Sequence, residues 1–423
     1  MAVGFLQFSG RPSLVLAANG GTPLVLSQLL EEMRRANPDL LAARKRLEAA
    51  QQKIPQARGL PPPRIGIEFE EIPRGTVKIN QATILYSLLQ SLPFPGKLSL
   101  RHQVAVKEAQ VAGVMFKQTE WDLLTALKSV YYDLYLVDRE REIQQDQALW
   151  LQQALASARA RYSSGGAPQS EMLEAQAKLL EAANQREVLG HRRRAMEAHL
   201  NHLLARPADQ PVEKPGEIPL APLSASPEEL LVQAQENQPE LLVFRYSAER
   251  AQASWKLAKR ELLPDLETML ELRNPAMGPI GPWDLTLAIV LPFWFWTKQK
   301  YGVKAALYDK ESAEAAYEGA RNEIARRIHE HWHESAAAYQ TAKLHREGLI
   351  PLSRQTVDSA LAAYQGGKGS FQELTGALIA LKERQREYHR NLISLEQHVV
   401  MLEQSVGLPL RPAHEEAGQG GER

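Results

Sequence analysis

Apolar and polar residues alternate with a period of two in several short segments of the chain. In Arg64–Ile72, two isoleucines and a phenylalanine fall on one face, and a glycine and two glutamates fall on the other. The same alternation recurs in three further segments: Leu266–Leu272, Trp283–Leu291 and, less regularly, Thr83–Leu92. This period predicts β-strands with one apolar and one polar face. Each has about the 9 to 11 residues of a tilted strand that crosses a bilayer.

Long stretches rich in Ala, Leu, Glu, Gln and Arg separate these strands and predict helices. Two of them are very long: Lys97–Tyr162 and Gln299–Tyr364. At a rise of 1.5 Å per residue, each is roughly 100 Å long, far more than a globular domain needs. The fold class expected is therefore mainly α with a small β part, built on long helical hairpins.

Shorter helices complete each set. Ser27 is the predicted N-cap of a helix over 27–57, and Ser226, followed by Pro227, is that of a helix over 227–260. After each long helix, a Gly-rich turn leads into a return helix, over Gln169–Leu204 and Phe371–Val406. The opening and return helices together match the long helix in length, so we expect them to lie end to end beside it.

The whole arrangement occurs twice. Motifs about 200 residues apart repeat in the same order: Asn37-Pro38-Asp39-Leu40-Leu41 with Gln238-Pro239-Glu240-Leu241-Leu242, Leu92-Pro93-Phe94 with Leu291-Pro292-Phe293, and Tyr162-Ser163-Ser164-Gly165 with Tyr364-Gln365-Gly366-Gly367. One constant offset indicates a duplicated unit. The expected divisions are a signal peptide or disordered N-terminus at 1–23, a first repeat at 24–205, a Pro-rich surface linker at 206–226, a second repeat at 227–410 and a disordered tail at 411–423.

Composition and charge exclude several classes of protein. The chain has 423 residues, with 50 Lys and Arg against 50 Asp and Glu, and this zero net charge argues against a nucleic-acid partner. It has no cysteine, which excludes disulfides and thiolate metal sites. No apolar run reaches the ~18 residues of a membrane-spanning helix. Leu14–Ala18 resembles the end of a signal-peptide apolar region, although Arg11 is the only cation nearby.

The predicted strands raise the question of what covers their apolar faces. They could form two amphipathic hairpins packed on the helices. If they instead span a membrane, four strands are too few, because a barrel needs about eight and an open edge in lipid leaves backbone groups unpaired. The protein would then be an oligomer, with two chains supplying eight strands or three supplying twelve.

The residue patterns around the two Gly-rich turns resemble those of one known family. They are Tyr162-x-x-Gly165-x-x-x-x-Ser170-Glu171-x-Leu173-x-Ala175-Gln176 and Tyr364-x-x-Gly367-x-x-Ser370-x-x-Glu373-Leu374-x-x-Ala377. With the repeated order of helix, hairpin, long helix, Gly turn and return helix, they resemble the TolC family of outer-membrane efflux proteins over about residues 24–410. Leu92-Pro93-Phe94-Pro95-Gly96-Lys97 is similar to the strand-to-helix junction of its cation-efflux branch.

The resemblance implies a homotrimer with a twelve-stranded barrel in the outer membrane of a Gram-negative bacterium and a helical tunnel in the periplasm. It implies a periplasmic adaptor and an inner-membrane transporter as partners, outer-membrane lipid around the barrel, and no cofactor. The strand turns at Pro73–Thr76 and 274–282 would face outside. The implied periplasmic tips and adaptor contacts are Tyr162, Gly165, Gly166, Ser170, Tyr364, Gly366, Gly367 and Ser370.

Acidic residues beside the tips are the implied lining of a closed entrance: Glu171, Glu174 and Glu373. In the family a second acid follows three residues after the position of Glu373, but Gly376 stands there in this chain. The three glutamates are equally explained as first-turn acids that interact with the helix dipole. The sequence is compatible with these glutamates on either the inner or the outer face of the helices.

One motif points to a different function. His329-Glu330-His331-Trp332-His333 is a literal H-E-x-x-H, which on a helix places two metal ligands and a general base together, as in a zinc peptidase. No third ligand with the spacing of known zinc proteases follows it, and it falls within a very long helix. The chain also has no nucleotide-binding loop, so we expect no enzyme. A soluble coiled-coil scaffold is the other alternative, but it leaves the duplicated strands unexplained.

Overall fold

The structure is a computed structural model that describes residues 24–70, 72, 82–274 and 281–411. The predicted N-terminal signal peptide, the strand turn at 73–76, the centre of the turn at 274–282 and the tail beyond 411 lie outside the described residues. Within the described parts, no helix combines the length and apolar character that crossing a bilayer requires.

Two long helical hairpins form most of the molecule. In the first, α3 (Lys97–Ser163) turns back into α4 (Gln169–Leu203). In the second, α7 (Gln299–Leu344) continues through one π-helical turn, His345–Leu349, into α8 (Ile350–Gln365) and then turns back into α9 (Phe371–Val406). The long helices and the return helices therefore match their predicted bounds to within one residue.

The π-helical turn is the one feature of the second long helix that the sequence analysis missed. Pro351 stands just after it, in the first turn of α8. A proline has no N–H and its ring clashes with the carbonyl four residues earlier, here that of Glu347. The wider π turn makes room for the proline ring and does not require the missing N–H, so the helix continues.

The prediction of one continuous opening helix in each repeat is wrong. Each is split in two: α1 (Leu26–Ala36) and α2 (Pro38–Gln56), then α5 (Pro227–Asn237) and α6 (Pro239–Arg260). The residue before each proline is extended, with ψ of 124° at Asn37 and 118° at Gln238, because a proline disfavours helical geometry in the residue before it. Each polar side chain then caps the helix that the proline begins: Asn37 accepts from Asp39 and Leu40, and Gln238 from Leu241.

Of the two predicted N-caps, one is confirmed and the other is wrong. Ser226 caps α5 in a reciprocal capping box with Glu229, as its sequence indicates. Ser27 does not cap α1, which begins at Leu26 after an extended Val25 that makes no side-chain cap. Leu24 there bonds to Lys214 in the linker, so pairing with the linker fixes the start of this helix instead.

Short and long helices pack as the length argument predicted. Both α2 and α4 contact α3, and both α6 and α9 contact α7. Additional contacts of α3 with α6 and α9 join the two repeats. The Pro-rich linker has no helix, but it does not lie wholly on the surface: Val212 and Ile218 are buried in the central core.

All strands of the described residues form a single antiparallel sheet. Its members, in spatial order, are β1 (Arg64–Glu70), β2 (Thr83–Leu92), β3 (Asp265–Asn274) and β4 (Trp283–Val290). The central pair, β2 with β3, joins the two repeats. Lys97, at the start of α3, is buried and donates 2.7 Å to Asp265 at the start of β3, which ties the sheet to the helices across the repeats.

The register separates the sheet into two chemically different faces. Ile65, Leu88, Leu270 and Leu285 lie opposite one another across all four strands, and each is more than two-fifths exposed. The neighbouring row on the other face is Gly66, Ser87, Glu271 and Asp284. The sheet therefore exposes a mainly apolar face and carries its charged residues on the reverse side. Among the described residues, no helix covers the apolar face, which argues against the interpretation of hairpins packed on the helices.

Candidate functional site

The ends of the two helical hairpins lie together at one end of the molecule. A single hydrophobic cluster contains Ala158 and Ala175 from the first hairpin and Tyr364, Phe371 and Leu374 from the second. The alanines allow the helices to approach closely, and the aromatic rings of Tyr364 and Phe371 meet edge to face at 5.7 Å between centroids. The turns predicted from separate motifs therefore form one joint tip.

Both long helices end in the same backbone motif. Gly165 and Gly367 each have φ of +74°, a left-handed conformation that side chains with a Cβ rarely adopt. At the first turn, Gly166 N–H donates 2.8 Å to the Arg161 carbonyl, and at the second, Lys368 N–H donates 2.9 Å to that of Ala363. These are Schellman C-caps, which the glycine spacing of the two repeats had indicated.

The two return helices begin differently. Ser370 caps α9 and forms a capping box in which Glu373 accepts from the Ser370 N–H at 2.9 Å. Pro168 stands at the corresponding start of α4 and gives no side-chain cap. Glu171 occupies the same position in its helix as Glu373 does in α9, but its carboxylate is free to bond elsewhere.

Tyr364 connects the two hairpins. Its side chain is fully buried, and its hydroxyl donates 2.8 Å to Glu171 Oε2 in the other hairpin. Arg161 lies over the tyrosine ring, 4.6 Å from its centroid, and donates 3.3 Å to the Tyr364 carbonyl oxygen. Burial, together with the Glu171 carboxylate, raises the pKa of Tyr364 to about 12. The hydroxyl therefore stays protonated and remains a donor at any physiological pH.

Tyr162, the counterpart of Tyr364 in the first repeat, has a different environment. It is 45% exposed and contributes no side chain to the cluster between the hairpins. The remaining predicted tip residues are also exposed: Gly165, Gly166, Ser170, Gly366, Gly367 and Ser370. The tip thus has a buried connection through Tyr364 and an exposed surface of small residues around Tyr162.

The predicted entrance acids do not share one role. Glu171 is half-buried and bonded to Tyr364, Glu174 is exposed and 3.7 Å from Lys178, and Glu373 is exposed within its capping box. Arg161 was not among the predicted tip residues, and its guanidinium also donates 3.0 Å to the Gly166 carbonyl. Its place just before Tyr162, in the last turn of α3, was the available signal, because cations favour helix C-termini.

The H-E-x-x-H motif does not assemble into a peptidase site. His329, Glu330 and His333 are exposed on α7, and Arg326 forms an ion pair of 2.5 Å with Glu330. Within the described ranges, no three His, Asp or Glu side chains lie close enough to hold one metal ion. The middle histidine, His331, instead turns toward α9 and contacts His398.

Comparison with known proteins gives consistent matches. The profile of the family described as outer membrane efflux protein matches residues 29–206 and again 230–408. The chain is 20% identical over 370 residues to the cobalt-zinc-cadmium resistance protein CzcC of Cupriavidus metallidurans, covering 86% of each protein.

Solved structures share the fold. The outer membrane protein VceC of Vibrio cholerae superposes with a TM-score of 0.79 at 17% identity, over 91% of this chain and 97% of VceC. CusC superposes with a TM-score of 0.77 at 14% identity, over 95% of this chain and 99% of CusC. At these identities the likeness is one of architecture: long helical hairpins with a small four-stranded sheet at one end.

Proposed function

Because this chain belongs to the outer membrane efflux protein family, we propose that it works as a homotrimer whose sheets close into one barrel. It is an outer-membrane efflux channel, with its helices in the periplasm. The finding that supports a barrel made by several copies is the sheet itself. Its apolar face is exposed, and β1 and β4 each have one edge without a partner strand in the described chain. Unpaired edges are not tolerated in lipid, and three copies give twelve strands with no edge.

Aromatic residues support the placement of the sheet in a bilayer. Phe293, Trp294, Phe295 and Trp296 follow β4 directly, and all four are exposed. Tryptophans and other aromatic residues concentrate at the boundary between lipid and water. This segment therefore marks the periplasmic edge of the barrel, where the chain leaves the lipid and enters α7.

The joint tip at the far end is the proposed entrance and adaptor contact. It lies at the opposite end of the ~100 Å helices from the sheet, and its exposed turns are built from small residues that allow another backbone to approach. The exposed contact residues are Tyr162, Gly165, Gly166, Ser170, Gly366, Gly367 and Ser370. Buried Tyr364 contributes by holding the two hairpins together. The adaptor connects the channel to an inner-membrane transporter, which supplies the energy, so conduction through this chain is passive and needs no catalysis.

Divalent transition-metal cations are the proposed cargo. The support is the relative CzcC, which is named for resistance to cobalt, zinc and cadmium and aligns over 86% of both proteins. The polar face of the sheet, which would line the barrel, carries six carboxylates and two guanidinium groups: Glu68, Glu70, Asp265, Glu267, Glu271 and Asp284, with Arg64 and Arg273. An excess of carboxylates on a pore wall favours cations. Small organic molecules are the alternative cargo.

The assembly is tested with the detergent-extracted protein. Light scattering and unheated gel electrophoresis are expected to give a stable species near three times the chain mass of 47.3 kDa that separates only on boiling. A monomer that stays in solution without detergent would contradict the barrel trimer.

The cargo is tested in a bacterium whose own gene for this channel has been deleted. We expect the deletion to lower tolerance to zinc, cobalt or cadmium salts and the restored gene to recover it. If the deletion instead sensitises the cell to organic antibiotics and leaves metal tolerance unchanged, the cargo is a small organic molecule.

A further inference from the structure

Two histidines face each other between the second long helix and its return helix. His331 lies on α7 and His398 on α9, and their Nδ1 atoms are 3.4 Å apart. The ring centroids are 5.6 Å apart and the planes are inclined by 37°. Both side chains are half-buried. The helices thus bring together two imidazole nitrogens from residues that are 67 positions apart in sequence.

The separation of these nitrogens suits a shared metal ion. Zinc binds imidazole at about 2.0 to 2.1 Å, so two nitrogens 3.4 Å apart subtend about 110° at an ion between them. This is the angle between two ligands of a tetrahedral site. With its proton on Nδ1, either ring can donate to the Nδ1 of the other. Moving that proton to Nε2 of the same ring frees both Nδ1 lone pairs without changing the charge of the pair.

We propose that His331 and His398 bind one divalent transition-metal cation per chain, with zinc or cobalt as the expected ion. Imidazole is a preferred ligand of zinc, copper, nickel and cobalt, whereas calcium and magnesium take oxygen ligands. Two protein ligands leave two positions of a tetrahedral ion for water. The site stands on this geometry alone and does not depend on what the channel conducts.

A cavity beside the pair has room for these waters. It has a volume of about 150 Å³, and its lining includes His331, Met401, Gln404, Asp122 and Glu240. A single water occupies about 30 Å³ of liquid volume, so the cavity holds several. The amide and carboxylate oxygens on its wall are suitable hydrogen-bond partners for metal-bound water.

The charges around the pair do not oppose a cation. Arg327, one helical turn before His331, lines the same cavity, but it pairs with Glu240 at 2.8 Å and with Glu323 at 3.0 Å. Arg326 is compensated by Glu323 and Glu330. Each nearby guanidinium therefore has carboxylate partners, and the carboxylates Asp122 and Glu240 face the cavity.

Metal binding here joins α7 to α9. Any ligand that binds only the folded state raises its stability by mass action. We therefore expect zinc to raise the thermal unfolding midpoint of the intact, detergent-solubilised protein. Zinc is expected to raise this midpoint in the purified channel without adaptor or pump. The test of this site therefore does not depend on which substrate the channel conducts.

The experiment is a titration of the metal-free full-length protein with cobalt(II), followed by its visible absorption, and then displacement by zinc. Wild-type protein is expected to bind one cobalt per chain with the intense bands of a tetrahedral site. His398→Gln is expected to lose this binding and the zinc-induced rise in unfolding midpoint. The matched control His329→Gln/His333→Gln removes the exposed pair of the motif and is expected to retain both.

Two results would overturn the proposal. One is a wild-type protein that binds no cobalt or zinc, and the other is binding that survives His398→Gln but disappears in the control. X-ray absorption of the zinc-loaded wild type gives a further check that needs no variant, because fewer than two imidazole ligands at the zinc would also contradict the site.

Discussion

The hydroxyl of Tyr364 donates a 2.8 Å hydrogen bond to the carboxylate of Glu171, a residue 193 positions earlier in the other helical hairpin. This bond lies at the tip, within the hydrophobic cluster that both hairpins share. It couples the two repeats at the end of the molecule that we propose as the channel entrance. The strength of this contact is therefore expected to govern how readily the tip separates.

Removing the hydroxyl in Tyr364→Phe is expected to loosen the tip. A hydrogen bond from a buried hydroxyl to a carboxylate stabilises by about 1.5 to 3 kcal/mol, and the phenylalanine keeps the ring packed. We expect more frequent and longer open events in single-channel recordings of the variant in planar bilayers.

Tyr162→Phe is the matched control, because Tyr162 occupies the equivalent position in the first repeat but is 45% exposed. It is expected to leave the open probability at the wild-type value. Equal effects of the two substitutions would show that the Tyr364–Glu171 bond does not hold the tip.

The left-handed glycine of the second turn is expected to resist substitution. In Gly367→Ala, nothing lies within 4 Å of the added Cβ, so the cost comes from the backbone at φ of +74° alone. That cost is about 1 to 2 kcal/mol. We expect a lower thermal unfolding midpoint, measured by circular dichroism.

Gly190→Ala serves as the comparison. Gly190 lies inside α4, and its added Cβ also meets open space. Replacing a helical glycine by alanine is expected to stabilise by about 0.5 to 1 kcal/mol. If both substitutions shift the unfolding midpoint in the same direction, backbone strain at position 367 does not explain the change in Gly367→Ala.

The two faces of the sheet are expected to tolerate charge differently. Leu287→Arg places a cation at the middle of the exposed apolar face of β4, which costs about 2 to 4 kcal/mol in a bilayer. Thr286→Arg, one residue earlier, places the same cation on the polar face. We expect the first variant to reduce the yield of heat-resistant trimer in outer membranes and the second to leave it near the wild-type level. A similar loss in both would contradict the lipid-facing assignment.

Acid is expected to weaken the helical body through His389. This side chain of α9 is half-buried and packs against Tyr135, and its partial burial, with Arg139 nearby, lowers its pKa from 6.5 to about 4. Below about pH 6.5 the unfolded chain takes up a proton that the folded chain refuses until about pH 4. The free energy of unfolding therefore falls as pH falls through this window, by up to about 3 kcal/mol.

The pH dependence of His389 is measured by thermal unfolding at pH 7 and pH 5. The variant His389→Gln is expected to lose part of the difference between the two midpoints. The carboxylates Glu142 and Glu217 also lie near this histidine and partly offset Arg139. If the variant keeps the full difference between the midpoints at pH 7 and pH 5, another titratable group causes the pH dependence.

The local elements of this fold follow from the sequence because each depends on neighbouring residues. The bounds of α3, α4 and α9 came within one residue of prediction, since glycines and capping residues mark their ends. Pro38 and Pro239 also carry a local signal for the two breaks, because each proline begins a new helix and holds the residue before it in an extended conformation.

The sequence by itself determined the duplication, the helix lengths, the alternation of the strands and hence a sheet with two kinds of face. Only the tertiary structure decided which copy of each repeated residue does what: Tyr364 is buried against Glu171 while Tyr162 is exposed, and His331 pairs with His398 rather than with its neighbours in the motif. The reason is physical. Contacts between residues 193 or 67 positions apart depend on how whole helices pack, and no local pattern of side chains records that packing.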